Sequence, residues 1–194
     1  MSGEKKDIIR ESNVTYDDYA AMPDDGNRYE VSDGVLELMS PAPTISHQFI
    51  SAEMLVKMKE TCQNDYIIIT APFDLILSKR EIRQPDLAMI HRSRMDILSR
   101  RGVEGAPDLI VEILSPFSIR RDKVQKRSTY AKYGVPEYWI VDPGNASLER
   151  YILIDGRYDL VDVFEGDEPV RSERLPCVAF SMRDIMSQLP DIRD

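Results

Sequence analysis

The stretch GAPDLIVEILSP, residues 105–116, decides how the chain is read. Leu109, Ile110, Val111, Ile113 and Leu114 form an apolar run bounded by Pro107 and Pro116, the pattern of a strand buried on both faces. Glu112 sits inside it. A glutamate is almost never fully buried without a partner, and a lone buried carboxylate is costly or gives up its charge. Fold and function both turn on what Glu112 faces.

Asp108 is the nearest carboxylate in the chain. At ~3.3 Å per strand residue it lies about 13 Å away along the same face, whereas a divalent ion holds its oxygens at ~2.0–2.6 Å. Asp108 therefore reads as a strand-start residue or an arginine partner. The partner of Glu112 must come from another strand. QPDLAMI, residues 84–90, offers Asp86 just after a proline, where a strand begins. If that strand lies alongside at ~4.8 Å, Asp86 and Glu112 can clamp one Mg²⁺, which typically uses one or two protein carboxylates.

Around this pair, RYEVSDGVLELM reads as a hairpin turning at Asp33-Gly34. TISHQFISAEMLVKMKETC reads as a helix, with Ile50, Met54 and Met58 at helical spacing and Thr44 or Ser46 as cap. DYIIIT, PFDLILS and QPDLAMI read as strands, followed by a loop rich in Arg and Gly. SPFSIRRDKVQKRSTYAKYGV is a second helix, with Ser118 as N-cap and Gly134 as C-terminal stop. PEYWIVD, ended by the turn DPGN, is a strand; SLERYILI and RYDLVDVF make a late hairpin; LPCVAFSMRDIM closes with a strand and a short helix. The expected fold is α/β, a central mixed β-sheet flanked by helices with extra β-hairpins. One domain spans residues 1–194, with an N-terminal extension, 1–15, and a C-terminal appendage, 165–194, of unread role. Phosphate-loop and dinucleotide-loop patterns are missing, as are HExxH, GxSxG and CxxC.

On the second helix, Ile119, Lys123, Lys126, Tyr130 and Tyr133 recur at spacings of 4, 3, 4 and 3. A lysine aimed at a carboxylate cluster can orient a water or oppose charge on a phosphate. Lys126 fits that role, and equally an ion pair with Asp122 one turn back; Lys123 reads as reaching solvent.

Composition bounds the rest. The 194 residues carry a net charge of −9, which argues against a generic nucleic-acid binder. From Lys79 to Lys132, however, 13 Lys or Arg face 7 Asp or Glu, a local net of +6. Such a surface serves a phosphate backbone or is simply solvated charge. No apolar run approaches the ~20 residues of a membrane helix, and the N-terminus has no apolar stretch of signal-peptide type. Cys62 and Cys177 lie far apart, make no metal-ligand spacing, and read as reduced thiols of a cytoplasmic protein.

The QPD … VEIL constellation resembles the PD-(D/E)XK nuclease superfamily. Pro85-Asp86 matches its first half and Glu112 its acid. Leu114 stands where the superfamily usually has lysine, and Lys126 is placed to act from the neighbouring helix, as in some members. More closely, the chain resembles the Uma-type family of bacterial restriction-endonuclease-like proteins. That resemblance runs from about Tyr16 to Tyr158, on YEVSDGVLELMSPAP followed by His47, then QPDLAMI, GAPDLIVEILSP, RRDKVQKRSTYAKYGVPEYWIVDP and the trailing RYIL…GRY. It implies a restriction-endonuclease-like fold, Mg²⁺ (Mn²⁺ as substitute), DNA phosphodiester hydrolysis and frequent homodimers. By it, Asp86 and Glu112 are metal ligands, Lys126 is the catalytic lysine, and Glu30 and His47 border the site. Glu30 also fits an exposed hairpin position, and His47, on a stripe with Ile50 and Met54, a core histidine. Two other readings remain open: a catalytically degenerate nuclease fold used for DNA binding or assembly, and a hydrolase of a small phosphoester.

Overall fold

A computed structural model of the protein describes residues 13–39, 42–115 and 118–191. Most of the N-terminal extension, residues 1–12, and Pro116 lie outside them. The elements run in chain order as α1 (Tyr16–Ala20), β1 (Tyr29–Ser32), β2 (Val35–Leu38), α2 (Ile45–Cys62), β3 (Tyr66–Thr70), β4 (Leu75–Ser78), β5 (Glu81–Arg83) and β6 (Leu87–His91). After a 3₁₀ turn (Arg92–Ile97) come β7 (Leu98–Ser99), β8 (Gly102–Glu104) and β9 (Leu109–Ile113). A π-helical segment (Arg121–Lys126) runs into α3 (Arg127–Lys132), followed by β10 (Glu137–Asp142), β11 (Ser147–Ile154), β12 (Arg157–Glu165), β13 (Pro169–Val170), β14 (Phe180–Ser181) and α4 (Met182–Met186).

All five residues of β9 are buried, as its apolar run predicts. The strand lies inside a mixed six-stranded sheet, β12-β11-β10-β9-β6-β3, parallel to β10 and antiparallel to β6. Alternation then sorts its side chains. Leu109, Val111 and Ile113 join Ile50, Met54 and Met58 of α2 and Ile185 of α4 in one core. Ile110 and the following Leu114 join Tyr130 and Tyr138 in a second core on the opposite face. Glu112 shares the parity of Ile110, so it faces α3. The fold is the expected α/β arrangement, a mixed sheet with helices on both sides.

The first hairpin is more than an addition to that sheet. β1 and β2 form one edge of a second six-stranded sheet, β2-β1-β5-β4-β8-β7, whose Leu75 and Val103 pack into the second core. The hairpin turns where expected, with Asp33 and Gly34 at φ 48° and 80°. The stretch read as an Arg/Gly loop supplies β7 and β8, because two- and three-residue strands leave no periodic pattern.

Local signals hold in part. Thr44, not Ser46, caps α2, accepting the His47 N–H. Gly134, at φ 78°, ends α3 while Val135 N–H reaches back to the Tyr130 carbonyl. The Ser118 hydroxyl accepts the Ser115 N–H instead of capping the helix, although the Ser118 carbonyl accepts the Asp122 N–H. The cysteine reading is overturned: Cys62 and Cys177 are joined in a disulfide, their Cα atoms 5.1 Å apart. They are 115 residues apart in the chain. Only the packing of the C-terminal segment beside the end of α2 brings them together, and no spacing rule sees that. Val170, Leu175, Phe180, Met182 and Ile185 of that segment lie in the first core.

Candidate active site

The last paired residues of the β6–β9 ladder are Leu87 and Val111. One step further, the antiparallel register would set Asp86 opposite Glu112. Instead the Asp86 carboxylate takes over the ladder, its Oδ2 accepting the Ile113 N–H at 2.7 Å. The same oxygen lies 3.1 Å from Nε2 of His47, in the first turn of α2. His47 is buried, and among the described residues its Nδ1 has no hydrogen-bond partner. Asp86, Glu112 and His47 thus line one cleft where β6 and β9 part, with Arg28, Arg121, Asp122 and Lys126 around it.

Glu112 is only 2% exposed, and Lys126 is its partner. Lys126 Nζ donates to both Glu112 oxygens at 2.9 Å, and the Tyr130 hydroxyl donates to Oε1 at 2.7 Å. The ammonium also lies 3.4 Å from Glu30 Oε1 and 3.7 Å from Asp122 Oδ1. Lys126 thus meets both the strand acid and its own helix neighbour. Asp122, Lys126 and Tyr130 recur every four residues and are all buried. The expected stripe does not survive intact. Ile119 is exposed, Lys123 pairs with Glu149 at 2.6 Å, and Tyr133 meets the Ser78 hydroxyl at 3.1 Å. The π-helical segment has i→i+5 bonding, which widens the turn and changes which side chains share a face.

Leu114 explains the departure from the usual lysine position. It is packed in the second core, on the same face as Glu112.

Glu30 is not the exposed hairpin residue its position allows. It is fully buried, accepting the Gln84 N–H at 2.9 Å and facing Arg83 Nη1 at 3.4 Å. Arg83 is itself buried, held by Glu81 at 2.6 Å and by the Ser32 hydroxyl at 2.6 Å. Sequence reasoning missed Arg83 and Gln84, which directly precede Pro85-Asp86. Their signal is charge alternation: in EIR, Glu81 and Arg83 share one face of a strand. Asp108 behaves as an arginine partner, bound by Arg94 at 2.8 Å and by the His91 N–H at 2.7 Å.

Burial pushes the Glu112 carboxyl well above the usual carboxylate range; Lys126 opposes this, and the charges of Asp122 and Asp86 add to it. Burial likewise raises Asp122, against the pull of Lys126. For Lys126, burial works against the charge, but Glu112, Glu30, Asp122 and Asp86 outweigh it and keep the ammonium protonated. Glu30 is held low despite burial by Lys126, then Arg83, the Gln84 N–H and Arg121. Carboxylates outnumber ammonium groups around Lys126, and their hard oxygens suit a divalent ion. Asp86 and Glu112 both line the cleft. Among the described residues no group of three or more His, Cys, Asp or Glu is arranged as a metal cage.

A solved structure, a "putative nuclease belonging to DUF820" from Anabaena variabilis, superposes with a TM-score of 0.72 at 20% identity, covering 90% of this chain and 98% of that one. That likeness is one of fold. No curated protein matches the chain. Among the described residues no helix is long and apolar enough to cross a membrane. The family comparison matches residues 16–183. By that match, over most of its length, the chain belongs to the family described as "Uma2: Putative restriction endonuclease".

Proposed function

We propose that the protein is a divalent-metal-dependent endonuclease that hydrolyses DNA phosphodiester bonds. The observation that carries this is the meeting of Asp86, Glu112 and Lys126 in one cleft, with the ammonium 2.9 Å from both oxygens of the strand acid. Asp86 and Glu112 would hold Mg²⁺, with Mn²⁺ as substitute. Such an ion, when bound, supplies Lewis acidity toward a phosphate oxygen and acidifies water. The chain's own residues do the rest. Lys126, held charged by its carboxylates, opposes negative charge developing on the phosphate. Tyr130 fixes the rotamer of Glu112 from behind. His47 orients Asp86, and Glu30 anchors Lys126. The exposed part of the basic excess between Lys79 and Lys132, outside the buried Arg83 and Lys126, meets the DNA backbone. A homodimer goes with this reading.

The test is plasmid nicking with Mg²⁺ or Mn²⁺. Glu112→Gln should lower the rate by about 10²-fold or more, the scale of losing one charge-stabilising group. Undiminished nicking by that variant removes the mechanism.

One observation favours a second reading, a nuclease fold retained for DNA binding or assembly. Both Glu112 oxygens are already engaged by Lys126, and among the described residues no third ligand completes a cage. Calorimetry with millimolar Mg²⁺ or Mn²⁺ separates the two, since the module binds neither ion.

A further inference from the structure

Arg28 lines the cleft and is exposed, two residues before the buried Glu30. The hairpin ladder reaches it, because its carbonyl accepts the Met39 N–H. Alternation along the strand therefore sets Arg28 and Glu30 on one face, the first at the cleft and the second against Lys126. The guanidinium is held in place. Gln84 Oε1 accepts from Nη2 at 2.6 Å and from Nε at 3.0 Å. Gln84 is itself fixed: its Nε2 donates to Asp74 Oδ1 at 3.0 Å and to the Tyr19 hydroxyl at 3.1 Å, and its backbone N–H donates to Glu30 Oε1 at 2.9 Å.

We infer that Arg28 grips a backbone phosphate of the DNA, next to the one at Asp86 and Glu112, and that Gln84 is its positioning residue. The inference rests on the nuclease reading and adds to it a phosphate contact outside the basic stretch from Lys79 to Lys132. The choice of partner carries it. Arg83, Arg94 and Arg150 each meet a carboxylate. Arg28 instead meets a neutral amide, and among the described residues no carboxylate forms an ion pair with it. Gln84 stands between the guanidinium and Asp74, bonded to both. The charge of Arg28 is thus left for a ligand. So is Nη1, which among the described residues donates to nothing, together with the second N–H of Nη2. Those groups make a planar fork that matches two oxygens of one phosphate. Binding a ligand ordinarily costs the ordering of a long side chain, and here the bonds to Gln84 have already ordered it. A strand with one phosphate at the two acids carries its neighbouring phosphates along the cleft walls, where Arg28 stands.

The test is fluorescence anisotropy of the full chain with two labelled DNA duplexes of unrelated sequence, over a series of salt concentrations. Chelator is present, so that binding is read apart from cleavage. Each neutralised phosphate adds about 0.9 to the slope of log affinity against log salt. Arg28→Gln should reduce that slope by about 0.9 and weaken binding about tenfold at ~0.1 M salt, equally for both duplexes. Arg28→Lys, which keeps the charge, should keep the slope of the parent. Gln84→Met keeps the charge but releases the fork; it should weaken binding about threefold or more, the cost of ordering one side chain, with the slope kept. Arg157→Gln makes the same change of charge at an exposed position outside the cleft, and should alter neither slope nor affinity. Circular dichroism checks the fold of each variant. An unchanged slope in Arg28→Gln, a loss matched by Arg157→Gln, or a loss confined to one duplex overturns the phosphate contact, and parent affinity in Gln84→Met removes the role of Gln84. A parent that binds no DNA would strike this contact and the nuclease reading together, whereas a parent that nicks with its slope unaltered by Arg28→Gln would strike the contact alone.

Discussion

Lys126 Nζ lies 2.9 Å from each carboxylate oxygen of Glu112, although the two residues come from a helix and a central strand 14 positions apart. That contact answers why a strand buried on both faces tolerates a glutamate. It also makes the two residues dependent on each other, because each is buried and supplies the other's hydrogen-bond partner.

Removing the ammonium should therefore cost far more than a surface pair. Lys126→Met leaves Glu112, Glu30 and Asp122 buried around an apolar chain, and should destabilise the fold by about 3–5 kcal/mol. The double variant with Glu112→Gln should recover part of the loss. Urea unfolding of the parent and the variants measures both; a loss under 1 kcal/mol would mean the pair is solvated.

The pH dependence of stability follows from two shifts of opposite sign. Glu30 is depressed below its ordinary 4.5, so its contribution is present above that value and is lost as pH falls through the folded value. Glu112 is raised above 4.5, so its contribution is full below that value and declines as pH rises toward the folded one. In metal-free buffer with chelator, Glu112→Gln should abolish a decline approaching about 1.4 kcal/mol per pH unit above pH 4.5. Unfolding midpoints from pH 4 to 8 test this, and parallel curves for parent and variant would contradict it.

Metal should stabilise the fold through the same acids. Mn²⁺ at about a hundred times its dissociation constant adds about 2.7 kcal/mol. Asp86→Asn should lose most of that gain, and the metal affinity should rise with pH because Glu112 must shed its proton. Thermal unfolding with and without Mn²⁺ is the measurement. An identical shift in parent and Asp86→Asn would exclude Asp86 as a ligand.

The disulfide joins residues far apart in the chain, so breaking it frees a long loop in the unfolded state. Reduction, or Cys62→Ser with Cys177→Ser, should lower stability by about 2–5 kcal/mol. Because Cys62 ends α2 while His47 begins it, nicking activity assayed below the unfolding transition should change little. Equal urea midpoints with and without reductant would show that the bond contributes nothing.

Much of the fold was legible because its signals are local. The apolar run of β9 needs no partner to be recognised, and neither does the turn at Asp33-Gly34 or the glycine stop at Gly134. Within the site, Asp86 and Glu112 could be paired from the proline before one and the burial demanded of the other. The second sheet was not legible. Its strands are as short as two residues, and their pairing joins segments distant in the chain. Arg83, too, looked like an ordinary surface charge until Glu30 and Glu81 closed around it.

The sequence by itself determined that a carboxylate sits within a buried strand and calls for a partner, because a lone buried carboxylate is costly or gives up its charge. Only the tertiary structure decided which partner that was. The choice among Lys123, Lys126 and the arginines depends on how a π-helical turn rotates α3 over the sheet, and the pairing of Cys62 with Cys177 depends on where the chain's last segment docks. Both are matters of packing between elements far apart in the chain, on which local periodicity carries no information.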